Sequence, residues 1–232
     1  MQRGRTPLHQ VDYRCIVMDK DSYYDISNTG DIAILGGSFN PIHIGHIGMA
    51  ESAYRLLGLD IVLMPNKTTY YKENKAFAPD EDRLEMLRQV ADKYSYIYYS
   101  DMEIVRGGVT HTIDTIEEFK KVNPDRKIYF IIGGDSLEWV DKWVDAEKLL
   151  RDVTFLTAVR GETDKVRTVE IIERLKKEYP QSKVLMLDMF DIPISSSDIR
   201  ELLGRGEDVT GLVPDYIRDY ILEKNLYGGS NG

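Results

Sequence analysis

The stretch Ile32-Ala33-Ile34-Leu35-Gly36-Gly37-Ser38-Phe39-Asn40-Pro41-Ile42-His43-Ile44-Gly45-His46 decides how this chain is read. A four-residue apolar run ends in two glycines, a proline stiffens the turn, and two histidines follow three residues apart. The run reads as a buried strand and the histidines as the start of a helix. The free N–H groups and positive dipole end of such a helix attract phosphate. A histidine placed there can donate to a phosphate oxygen and, when protonated, offset charge that develops on it. Two histidines could also hold zinc, but no third ligand follows at the usual spacing and no cysteine is near, so no metal site is expected.

Outward from this segment, short apolar runs alternate with amphipathic stretches, the signature of β-α-β units and a parallel sheet. Strands are expected at Ile32–Leu35, Ile61–Met64, Tyr96–Ser100, Lys127–Ile132, Val153–Val159 and Lys183–Leu187. Their near-continuous apolarity suits strands covered on both faces. Helical spacing appears at Met49, Ala53, Leu56 and Leu57 and again at Leu84, Leu87, Val90 and Ala91. Further helices are expected around Ile113–Phe119, over Trp143 to Leu150, around Val169–Leu175, from a cap at Ser195 through Leu203, and after Pro214. The fold class is therefore α/β, a Rossmann-like doubly wound sheet in a single domain with a helical C-terminal part. That domain is expected over residues 31–227, after an extension over 1–30 and before a disordered tail at 228–232. The segment Pro65–Pro79 is long for a β-α loop, and loops of that length are often functional.

The chain has 232 residues, 42% hydrophobic and 30% charged, with a formal net charge of −9. An isoelectric point near 5.0 argues against a general nucleic-acid binder, which needs a basic face. Cys15 is the only cysteine, which excludes an intrachain disulfide and fits a reducing cytoplasm. No apolar run approaches the roughly 20 residues of a membrane span. Arg3, Arg5 and Arg14 resemble a targeting leader, but Asp12, Asp19, Asp21 and Asp25 follow too soon, and a lightly docked extension is expected. Self-association is left open.

Two further constellations carry chemistry. Ile194-Ser195-Ser196-Ser197-Asp198-Ile199-Arg200 is either an anion cradle at a helix start or a serine N-cap with Asp198 as its capping partner. Ile132-Gly133-Gly134-Asp135-Ser136 repeats the strand–glycine–polar pattern, with Asp135 either binding a nucleoside or capping a helix. Trp139 and Trp143 sit four apart on one helical face and serve either the core or a stack on a flat ring. A parallel sheet brings the carboxyl ends of separate strands to one crevice, so the histidine turn and the Ile194–Arg200 segment can face one ligand.

Gly36–His46 matches the nucleotidyltransferase signature with its literal His-Ile-Gly-His, and Ile194–Arg200 matches that superfamily's second motif. The fuller pattern resembles bacterial nicotinate-mononucleotide adenylyltransferases over roughly Asp31 to Tyr227. It includes Glu81-Asp82-Arg83-Leu84-Glu85-Met86-Leu87, Thr110-His111-Thr112-Ile113-Asp114-Thr115, Lys142-Trp143 and Leu212-Val213-Pro214. The resemblance implies in-line transfer of an adenylyl group from ATP to nicotinate mononucleotide, giving nicotinate adenine dinucleotide and pyrophosphate in NAD biosynthesis, with Mg²⁺ accompanying ATP. It implies catalytic parts for His43, His46 and Arg200. It implies ATP contacts at Gly36, Gly37, Ser38, Phe39, Gly133, Ile194, Ser195, Ser196 and Ser197. On the mononucleotide side it implies Asn40, Lys72, Thr112, Asp135 and Trp143, with Thr112 near the nicotinate carboxylate and Trp143 stacked on the pyridine. This chain departs from the family at Thr69-Tyr70-Tyr71-Lys72, at Val144 and at Arg160-Gly161-Glu162. The alternatives are a nicotinamide mononucleotide or phosphopantetheine acceptor, or a nucleotide-binding module without catalysis.

Overall fold

A computed structural model describes residues 22–67, 77–159, 161–188 and 194–228. Six parallel strands form one sheet in the order β3-β2-β1-β4-β5-β6. They are β1 (Ile32–Gly37), β2 (Ile61–Pro65), β3 (Ile97–Tyr99), β4 (Ile128–Ile132), β5 (Val153–Val159) and β6 (Lys183–Asp188). All six expected strands are present, with ends moved by one or two residues. The order reverses between β1 and β4, so a crevice opens at their carboxyl ends.

Both faces of the sheet are covered, which is why its strands read as unbroken apolar runs. Ala33, Leu35, Leu63, Ile131 and Leu156 point to one face. There they meet α1 (Ile44–Leu57), α2 (Asp80–Ala91), α8 (Ser196–Gly204) and α9 (Asp215–Glu223) through Ala50, Leu87, Ile199 and Ile217. Ile32, Ile34, Val62, Phe130 and Phe155 point to the other. They meet α4 (Thr112–Val122), α6 (Ala146–Asp152) and α7 (Gly161–Glu178) through Phe119, Leu149 and Leu175. Two short helices, α3 (Met102–Arg106) and α5 (Gly134–Glu138), follow β3 and β4. Neither was legible in the periodicity, because five residues hold little more than one helical turn.

One expected helix is shorter than the sequence implied. α6 starts at Ala146, and Trp143 stands outside it, after a 3-10 turn at Val140–Lys142. Asp145 takes a left-handed conformation, φ 51°, and so separates the two. Trp139 ends α5, so the tryptophans do not share a continuous helical face.

Residues 22–30, read from sequence as part of an extension, pack on the body. The N–H of Tyr24 donates to the Tyr99 carbonyl at 2.9 Å, and the N–H of Tyr99 to the Ser22 carbonyl at 3.1 Å. Tyr23 sits edge-on to Tyr99 and its hydroxyl donates to Asp101 at 2.7 Å, while Tyr24 is buried against Phe119. Residues 1–21 and 229–232, and with them most of the expected extension and tail, lie outside the described residues.

Candidate active site

The turn after β1 carries the histidines. The buried Phe39 adopts φ 46°, the Asn40–Pro41 bond is cis, and His43 caps α1. The Gly45 N–H donates to His43 Nδ1 at 3.2 Å, and the His43 N–H donates to His46 Nδ1 at 3.3 Å. With Nδ1 accepting, a neutral ring carries its proton on Nε2, which suits a phosphate oxygen. The ring centroids are 3.8 Å apart, and Phe39 meets the His46 ring edge at 5.0 Å. A Cβ at position 45 would lie 3.0 Å from the His43 ring, so the glycine between the histidines is a packing requirement. Gly36 is required differently: its Cβ would stand 2.8 Å from the Phe130 ring of the neighbouring strand. That glycine admits an aromatic wall, where the sequence suggested only room for a ligand.

The second constellation is fastened to the first. Arg200 donates from Nη1 to the Asn40 carbonyl at 2.7 Å and from Nη2 to Ser197 Oγ at 3.0 Å. Ser196 Oγ donates to the Pro41 carbonyl at 2.8 Å. Burial pulls the Arg200 pKa down from its ordinary value, offset in part by Tyr227. Ser195 caps α8 and donates to Asp198 at 2.7 Å, and these bonds hold the Asp198 carboxyl below its usual range. The capping reading of this segment is therefore realised. Ser195 and Asp198 form the helix start, and Ser196, Ser197 and Arg200 join that start to the histidine turn. Ile194 is buried beneath, 3.6 Å from where a Cβ on Gly45 would be.

Two residues expected to touch ligand instead face protein. Phe39 is fully buried, so it supports the His46 ring and does not line a path. Asn40 is also fully buried, and its Oδ1 accepts from the Ala78 N–H at 2.9 Å and from the Tyr227 hydroxyl at 2.8 Å. Its place is that of a brace between the turn, the start of α2 and the C-terminal segment.

The crevice between β1 and β4 holds a cavity of about 500 Å³. Gly36, Gly37 and Ser38 form one wall, and Gly133 and Ser136 another. Thr112, at the first position of α4, and Trp143 close the far end. Trp143 packs edge-on to Phe130 at 6.5 Å and to Phe155 at 6.2 Å, which fixes the indole. Asp135 lies elsewhere: it lines a smaller cavity of about 110 Å³ with Glu138, Arg167 and Thr168, reached past Gly133. Lys72 falls outside the described residues. Among the described residues no three His, Cys, Asp or Glu side chains cluster as metal ligands. No helix among them is long and apolar enough to cross a membrane.

Three contributors were missed in the sequence. Arg83 is fully buried and donates to the Ser38 carbonyl at 2.7 Å, the Asn66 carbonyl at 3.0 Å and Asp80 at 2.5 Å. It thereby ties the ends of β1 and β2 to α2. Burial raises Asp80, but bonds from Lys67 and Arg83 outweigh it and hold the carboxyl below its usual range. Glu103 and Lys142 both line the larger cavity. A signal for Glu103 was present, an acid among Met102, Ile104 and Val105, but α3 is too short for periodicity to place it.

Comparison with known proteins agrees with this geometry. Residues 34–202 match the model of the cytidylyltransferase-like family. A probable nicotinate-nucleotide adenylyltransferase of Dehalococcoides mccartyi strain CBDB1 is 36% identical, over 84% of this chain and 95% of the relative. That of Lachnoclostridium phytofermentans is 34% identical, over 84% and 98%. This chain belongs to the nicotinate-nucleotide adenylyltransferase family. Among solved structures, the Plasmodium falciparum nicotinic acid mononucleotide adenylyltransferase complexed with NaAD superposes with a TM-score of 0.69 at 25% identity, covering 85% of this chain and 97% of that one. The chain is thus a nucleotidyltransferase on a Rossmann-like fold.

Proposed function

We propose that this enzyme joins ATP to nicotinate mononucleotide, forming nicotinate adenine dinucleotide and releasing pyrophosphate. The observation that carries this reading is the bond from Arg200 to the Asn40 carbonyl, which locks the two phosphate-binding motifs into one frame. In the reaction the mononucleotide phosphate oxygen attacks the α-phosphorus of ATP in line, and the bond to the pyrophosphate oxygen breaks. The protein's work is positioning and charge stabilisation. His43 and His46 donate from Nε2 to the phosphates, and the Ser196–Arg200 segment flanks the leaving pyrophosphate. Mg²⁺, held mainly by the triphosphate oxygens and water, would offset part of their charge when bound. Thr112 and Trp143 receive the pyridine end of the acceptor in the larger cavity, and the work is done in the cytoplasm.

The test is pyrophosphate release with ATP, Mg²⁺ and a panel of nicotinate mononucleotide, nicotinamide mononucleotide and phosphopantetheine. Turnover is expected with the pyridine mononucleotides, foremost the acid form. Turnover with phosphopantetheine alone would move the enzyme to another branch of the superfamily. Tight ATP binding without turnover would make it a binding module.

A further inference from the structure

Glu103 is 4% exposed and is one of the residues that line the larger cavity. It stands on α3, directly after the edge strand β3. One carboxyl oxygen, Oε1, accepts from the hydroxyl of the fully buried Thr115 on α4. Arg106 is the nearby cation, but its charge is shared. Its Nη2 donates to Thr115 Oγ1 at 3.0 Å and lies 3.9 Å from Glu103, while its Nη1 donates to Glu118 at 3.1 Å. A carboxyl in the wall of a ligand cavity, braced on one side and only partly neutralised, is a poor structural choice unless its charge is used.

We propose that Glu103 is the residue by which this cleft distinguishes an anionic ring substituent on the acceptor from a neutral one, through gain and loss of its proton. The inference rests on the reading of the larger cavity as the acceptor site.

Protonated, Glu103 is neutral and has an O–H to donate, which welcomes a ring carboxylate. Ionised, it only accepts and repels that carboxylate, while it can still receive an amide N–H. Burial pushes this carboxyl up to about 7. The Thr115 hydroxyl and Arg106 pull it down, and Glu118 and Asp114 on α4 push it up. His111 and Lys142 complete the charged and titratable lining of the cavity. The switch between donor and repeller therefore falls near neutral pH.

The experiment is calorimetric binding of nicotinate and nicotinamide mononucleotides between pH 6 and 8, to the wild-type protein and to Glu103→Gln and Thr115→Val. The ratio of the two affinities cancels the titration of the phosphate they share. A site that needs a protonated group of pKa near 7 loses about tenfold in affinity over that range. In the wild type the acid-to-amide ratio is thus expected to fall about tenfold. Glu103→Gln, a neutral isostere, flattens the ratio. Thr115→Val removes a donor that favours the carboxylate and moves the midpoint to higher pH. A flat ratio in the wild type, or an unchanged slope in Glu103→Gln, overturns the proposal and leaves the enzyme's assignment intact. If neither mononucleotide binds while ATP does, the cavity is not the acceptor site, and both readings fall together.

Discussion

The frame around the histidines is closed by side chains that bond backbone carbonyls, whereas the larger cavity is lined by side chains held by other side chains, Glu103 by Thr115, Lys142 by Asp141 and Trp143 by two phenylalanines. In the first region Arg200, Ser196 and Arg83 each reach a carbonyl of the turn Ser38–Pro41, so its shape is set before any ligand arrives. In the second, the indole of Trp143 is fixed by Phe130 and Phe155, but the polar groups Thr112, Glu103 and Lys142 come from three separate segments. The difference teaches where rigidity and selectivity reside. On the proposed assignment the phosphates meet a fixed cradle, and the acceptor meets a wall assembled from short separate segments.

The largest expected effect is on turnover. His46→Ala should lower kcat by about 100-fold or more, the scale of losing a donor to a developing charge. Acceptor affinity should barely change; equal losses in both would dissolve the division between the two regions. Next is Arg83→Met, which takes a donor from the Ser38 and Asn66 carbonyls and leaves Asp80 with Lys67 alone. Chemical denaturation should show a loss of about 3 kcal/mol, as for one partner removed from a buried pair. A loss near zero would mean that the turn keeps its shape without this tie. Third, Trp143→Ala should raise the acceptor KM by about tenfold, in line with a lost aromatic stack, with kcat less affected. A fall in kcat alone would place the indole among the reacting groups and blur the comparison. The smallest change is Tyr227→Phe, which removes only the bond to Asn40. It should cost about 1 kcal/mol in a thermal or denaturant melt, leaving acceptor affinity unchanged.

The sheet was legible in the sequence because each strand is built on a short apolar run, closed by glycine or proline in β1, β2 and β4, and the long helices because their periodicity persists over several turns. The histidine turn was legible as a whole, since its glycines, proline and histidines each answer a separate backbone demand. Contacts that cross the chain were not. Nothing local to Arg83 says that its guanidinium will reach Ser38 and Asn66, 45 and 17 residues away. The family resemblance put Asn40 on the mononucleotide side, and only the arrival of Tyr227, 187 residues on, shows which way its amide faces. The two tryptophans misled in the opposite direction. A spacing of four means one face only while the helix continues, and here α5 ends at Trp139 and a 3-10 turn intervenes before Trp143.

The pairing of Ser22–Tyr24 with Tyr99 also bears on how the protein behaves among its neighbours. β3 is the last strand on its side of the sheet and only three residues long, and its outer backbone groups are already taken by the chain's own preceding segment. An open strand border is a template on which a second molecule can add its own strand and begin to aggregate. With Tyr99 satisfied and Tyr23 packed over its ring, that border offers a newcomer little to pair with.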